Sequence, residues 1–249
     1  MPPNSMEPTM APEPVTVTQN VKSADQMAVP QETNYYLYIL QSTLNLLAHV
    51  LIGVVVGICL LFSLRGGLPL GATFTHIILC VIGYQLLMGQ AILTLARGNG
   101  WAAKLRLVDK RRAHWILQIM GSALALAGSL VKVLDKEVHW NTNHGRFALV
   151  AIVFTVASLV NGLTSLYAYE FRRIFNGNIS KLTHVCFGIV TFTTASITLC
   201  HGFDKNFFRI WASDEFANVL IAFTAVYTII IIINPFITFC SKASNAIRR

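Results

Sequence analysis

Four histidines stand near the starts of uncharged, apolar stretches of the chain: His76, His114, His144 and His184. Around His114 the change is abrupt. The run Lys110-Arg111-Arg112-Ala113-His114-Trp115-Ile116-Leu117-Gln118 passes from a cationic segment into an apolar one within four residues. A histidine at a helix N-terminus is disfavoured as imidazolium, so its ring keeps a lone pair that can ligate a metal. If the four stretches are consecutive antiparallel helices, their N-terminal histidines alternate between two levels. His76 and His144 then share one level, and His114 and His184 share the other. Two histidine pairs on facing helices of a four-helix bundle is the arrangement that two bis-histidine b-type haems require. Helix rise puts the two levels roughly 20 Å apart, suited to electron transfer between them. A proton pathway or a haem-free metal site built from the same histidines is the alternative, and a single interfacial histidine is ordinarily only a polar anchor.

The elements that must carry these residues are legible in the composition. Of 249 residues, 54% are hydrophobic and only 12% are charged, about half the charged fraction of a soluble domain. The charges are clustered, leaving uncharged gaps over residues 33–64, 66–96, 113–131, 147–169, 182–203 and 216–241. Each is long enough for a membrane-spanning helix, which needs roughly 20 residues. None alternates as a barrel strand would. The expected fold is all-α: a six-helix membrane bundle in which helices two to five form the core around the histidines.

The net charge of +8 does not point to nucleic acid, because the cations are split between the two ends of the bundle. Thirteen of the 19 Lys and Arg residues fall on one side and six on the other, where acids accompany them. This positive-inside bias predicts that both termini and the 97–112 loop face the cytosol. The basic rim also suits anionic lipid. No paired carboxylates, nucleophile–base pair or phosphate-binding glycine loop is evident, so hydrolysis and phosphoryl transfer have no support.

Residues 1–34 hold six of the eight prolines with Ser, Thr, Gln and Asn, a composition expected to be disordered and unlike a signal peptide. The spanning domain is then residues 35–241, followed by a basic tail over 242–249. In the first helix, Gly53 and Gly57 have the small-xxx-small spacing of close helix contacts, and His49 reads as a packed, hydrogen-bonded histidine. Gly121, Ala125, Gly145 and Gly188 would leave room for a porphyrin or, equally, permit close helix packing. Pro235 predicts a kink near the end of helix six. The five cysteines lie in or at the ends of apolar runs without a Cys-x-x-Cys pair, which favours packing over metal or redox chemistry. No internal repeat is evident.

The order of the four histidines, the His-Trp-Ile-Leu-Gln start at 114–118 and the outer His139-x4-His144-Gly145 motif together resemble the cytochrome b561 family. The likeness is nearest to its single-domain, tumour-suppressor-like branch of transmembrane reductases and covers about residues 40–245. The resemblance implies two b haems per chain, held by His76 with His144 on the outer side and by His114 with His184 on the cytosolic side. It implies electrons entering from cytosolic ascorbate and leaving to monodehydroascorbate or ferric iron, bound as a chelate, in a vesicle lumen or outside the cell. It also implies a homodimer, and an endoplasmic reticulum or cytoplasmic vesicle membrane rather than the plasma membrane.

Ascorbate is a monoanion, so its dock needs cations beside the cytosolic haem. By the resemblance Arg111 is the first candidate and Lys110 the second, with Arg112 adjacent and Arg172 or Arg173 closing from helix four. On the outer side His139 corresponds to a family histidine near the acceptor, and Arg146 is placed to meet an anionic acceptor. Beside the electron-transfer reading stand a haem-free six-helix transporter and a haem-binding anchor subunit of a larger oxidoreductase. The near absence of Asp and Glu from the helices counts against the transporter.

Overall fold

The computed structural model describes residues 32–167 and 177–247. Arg172 and Arg173 lie outside the described residues, as does most of the 1–34 segment. The chain divides into two units, Met1–Leu37 and Tyr38–Arg249; residues 32–37 of the first begin the first helix, and the rest of the described chain is the second. Apolar stretches in lipid can satisfy their backbone only within themselves, and the six long apolar segments are accordingly helical. Helix α1 is Glu32–Leu64 and α2 is Ala72–Cys80, which runs into a π-helix, Val81–Met88, and then into α3, Gly89–Thr94. There follow α4 (Leu107–Leu134), α5 (Asn143–Leu166), α6 (Gly177–Phe203), α7 (Asn206–Ala212) and α8 (Asp214–Ile247). Six segments are long and apolar enough to cross a membrane, with α2, the π-helix and α3 forming the second, Ala72–Thr94. The protein is an integral, multi-pass, all-α bundle.

Three features depart from the sequence expectation. Helix α4 starts at Leu107 rather than His114, so Lys110, Arg111 and Arg112 are in its first turns and not in a loop. Asp109 drives this. It sits in the first turn, where a carboxylate suits the helix dipole, and pairs with Arg106 at 2.8 Å and Arg112 at 3.4 Å. Helix α7 was not anticipated. Its Phe207, Phe208 and Trp211 pack around the Phe62 ring at centroid distances of 4.8–5.1 Å. Arg209 ties it down by pairing with Asp204 at 2.7 Å and Asp214 at 2.9 Å. Last, the second span is broken by the π-helix, and nothing in its hydropathy announces that.

The buried face of α1 (Ala48, Ile52, Val55, Cys59 and Phe62) belongs to the core, and α1 meets the second span at Ile52–Gly89 and Phe62–Phe74 and α8 at Gln41–Asn234. The closest helix crossing is elsewhere. A Cβ built on Gly83 would lie 2.6 Å from the Gly121 carbonyl oxygen, and one on Gly121 would lie 2.8 Å from that of Gly83. Only glycine permits this approach of the second span to α4. Among the described residues, in contrast, no atom lies within 4 Å of such a Cβ on Gly53 or Gly57, so within them the spacing in α1 marks no helix contact. Gly121 and Ala125 serve this crossing rather than making room for a ligand, and Gly145 backs on to Trp140. Gly188 does face open space.

Candidate functional site

His76 is the fifth residue of α2 and His144 the second of α5, while His114 and His184 are each the eighth of α4 and α6. The structure brings them together in the two expected pairs. The ring centres of His76 and His144 are 6.2 Å apart with planes at 73°, and those of His114 and His184 are 6.3 Å apart with planes at 87°. Two metal–nitrogen bonds of about 2 Å, with each ring centre about 1 Å behind its nitrogen, would leave ring centres about 6 Å apart.

The second nitrogen of every ring is already used. His76 Nδ1 donates to the Gly128 carbonyl at 2.9 Å, and His114 Nδ1 to that of Ala91 at 2.8 Å. His144 Nδ1 donates to Thr198 at 2.9 Å, and His184 Nδ1 to Ser158 at 3.2 Å. A carbonyl can only accept, so in a neutral ring the proton sits on Nδ1 and Nε2 keeps its lone pair. Orientation of a ligating histidine by a backbone acceptor is the usual second-shell arrangement of metal sites. The four acceptors also define a ladder. The second span and α4 supply each other's, and so do α5 and α6. Gly128, level with His76, lies 14 residues beyond His114, or about 21 Å of helix.

Room for a flat cofactor is present on the outer level. A cavity of about 450 Å³ is lined by His76 and His144 and also by Tyr84 and Gln85, within the range of ligand pockets. Glycines make further space: a Cβ on Gly202 would meet the His144 ring at 3.7 Å, and one on Gly162 the His184 ring at 3.1 Å. The donor set and the space therefore fit a bis-histidine haem at the outer level, and the donor set fits one at the inner level. Among the described residues no group of three or more His, Cys, Asp or Glu is placed to hold a metal ion otherwise.

The flanking residues divide. His139 is exposed and borders a smaller cleft of about 70 Å³ with Trp140, Lys132 and Lys136, which reaches His76 and His144. Trp140, at φ 57°, is in the left-handed region, an uncommon conformation for a bulky residue. Arg146 is exposed on α5 and borders neither cavity. Lys132, Lys136 and Lys205 border the outer cavity instead. The sequence carried them only as charges ending apolar runs. On the inner side Lys110 is half-buried and Arg111 exposed. They precede His114 by four and three residues, which puts them on its face of α4. Asp109 engages Arg112, and its hydrogen bond pushes the Arg106 guanidinium above its ordinary pKa.

His49 is bonded on both nitrogens, as its packed reading required. Nδ1 accepts from Gln90 Nε2 at 2.9 Å, and Nε2 donates to Asn99 Oδ1 at 2.7 Å. With Asn45 Nδ2 donating to the Arg97 carbonyl at 2.8 Å, this network fastens the start of the 95–106 loop to α1.

The sequence profile described as "Eukaryotic cytochrome b561" matches residues 75–209, a stretch that contains all four histidines. Among curated proteins the chain is similar to transmembrane reductase CYB561D2 of Mus musculus, 27% identical over 192 residues, covering 74% of this chain and 82% of the relative. It is also similar to transmembrane reductase CYB561D2 of Homo sapiens, 27% identical over 183 residues, covering 71% of this chain and 80% of the relative.

Proposed function

Because the chain belongs to the eukaryotic cytochrome b561 family, a haem b oxidoreductase family of transmembrane electron transfer, we propose that it carries electrons from cytosolic ascorbate through two haems to an acceptor on the far side. The acceptor is monodehydroascorbate or a ferric chelate. The name of its relatives, transmembrane reductase, supports a reductase that works across a membrane. One observation carries the reading. Two histidine pairs stand with ring centres 6.2 and 6.3 Å apart, every Nδ1 anchored to a backbone carbonyl and every Nε2 left to ligate.

In this reading His76 and His144 hold the outer haem, and His114 and His184 the cytosolic one. Bound haem supplies one-electron chemistry; the chain supplies ligation, orientation and substrate docks. Ascorbate gives up one electron and one proton, becoming monodehydroascorbate, and ferric iron takes one electron to become ferrous. Lys110 and Arg111, one helical turn from His114, attract the ascorbate anion, and Arg112 lies beside them. Arg172 and Arg173 are assigned to the same rim. On the outer face Lys132, Lys136 and Lys205 form a cationic mouth for an anionic acceptor, with His139 at its edge and Arg146 further out.

The test is vectorial. Liposomes containing the purified protein and an enclosed, impermeant ferric chelate receive external ascorbate. Enclosed ferrous iron is expected to appear at a rate set by the protein, and no rate above protein-free liposomes would refute the proposal.

A further inference from the structure

The histidine-to-carbonyl contacts obey a count. Fourteen residues separate His114 from Gly128 in α4, His144 from Ser158 in α5, and His184 from Thr198 in α6. In the second span 15 residues separate His76 from Ala91. The halfway position, seven residues after each histidine, is Gly83, Gly121, Ala151 and Thr191, all of them buried. Gly83 and Gly121 are also the two residues at which the helices cross. The count is thus in step as far as Gly83 and gains one residue between Gly83 and Ala91. The π-helix, Val81–Met88, occupies that interval.

An extra residue in an α-helix turns everything after it by about 100°. A π turn absorbs the residue without that rotation. Its wide turn carries Tyr84 and Gln85, both buried. Tyr84 Oη is 3.1 Å from Thr155 Oγ1 on α5. Gln85 Oε1 accepts from Tyr227 Oη on α8 at 2.7 Å and from Ser196 Oγ on α6 at 3.4 Å. The contacts to Thr155 and Ser196 join the first hairpin (the second span with α4) to the second (α5 with α6) midway between the histidine levels, and the one to Tyr227 ties the same turn to α8. Each histidine pair takes one ring from each hairpin, so the gap between hairpins sets ligand separation at both levels.

We propose that the core is one helical hairpin built twice, with a histidine, a small residue at +7 and an acceptor carbonyl at +14 in every helix. The π-helix is then a single-residue insertion that aims Tyr84 and Gln85 across the hairpin gap as positioning residues for both pairs. The positioning role rests on the haem reading above, whereas the register does not.

Two deletions test the register in the full-length protein. Deleting Leu86, inside the π-helix, gives the second span the 14-residue count but removes the turn that aims Tyr84 and Gln85, so the chain should melt below wild type yet keep both haems. Deleting Ala123, exposed on α4, should rotate Gly128 away from His76, lower the melting temperature sharply and lose haem. Equal damage from both deletions would overturn the insertion. Thermal unfolding of the haem-free chain reads this comparison even if wild type binds no haem, an outcome that would defeat only the function and the positioning role. For the positioning role, Gln85→Leu combined with Tyr84→Phe should retain haem but shift the electron paramagnetic resonance signals of both levels. Unchanged signals at both would overturn it.

Discussion

His114 donates its Nδ1–H to the Ala91 carbonyl at 2.8 Å, while His76, on the same span as Ala91, donates to Gly128 on the helix of His114 at 2.9 Å. The two helices hold one another's rings, and α5 and α6 do the same for His144 and His184. Ring orientation is therefore built into helix packing rather than left to the ligand. Each haem would be clasped between two preformed hairpins.

His114→Ala should remove the cytosolic haem and spare the outer one, because the pairs share no ligand. Pyridine haemochrome analysis should give half the wild-type haem per chain. Loss of all haem from a chain that still melts cooperatively, or loss of none, would contradict the pairing. His184→Ala should behave alike.

Gly121→Val drives a branched side chain into the Gly83 carbonyl, already 2.8 Å from the position of a Cβ. Overpacking of this kind costs typically ~1–3 kcal/mol, and thermal unfolding in detergent should show it. Gly53→Ala and Gly57→Ala, which meet open space, should show no loss.

Lys110→Ala and Arg111→Ala should each raise the KM for ascorbate while haem content stays constant. Both are surface charges, and an exposed ion pair contributes up to ~1 kcal/mol, so each effect should be on the order of fivefold or less. It should shrink as salt is added. Unchanged KM in the double variant would move the dock elsewhere.

His49→Leu leaves Gln90 and Asn99 without their partner, a loss expected to cost about 1–3 kcal/mol. The melting temperature should fall with both haems retained. Loss of the cytosolic haem alone would mean that the network positions Ala91, next to Gln90, and so His114.

Much of this was legible because the signals are coarse. Charge-free runs fix six spans, and alternation of antiparallel helices pairs His76 with His144 and His114 with His184 without any contact being known. What escaped detection depends on backbone detail. The π turn at Val81–Met88 has the hydropathy of the helix around it, and the repeat is one of histidine-to-carbonyl spacing, for which any apolar residue serves. The Gly53–Gly57 spacing permits a close approach that α1 does not make among the described residues, since two small residues allow an approach but do not compel one. Helix α7 was hidden because its seven residues are too few for a periodic pattern.

Electron transfer from ascorbate through two haems is tested most directly by the visible spectrum of the purified protein, oxidised and then reduced by ascorbate, with haem counted per chain. A b-type α band should develop on adding ascorbate, with two haems per chain. A folded protein with no Soret band would contradict it, and the four histidines would then need another ligand.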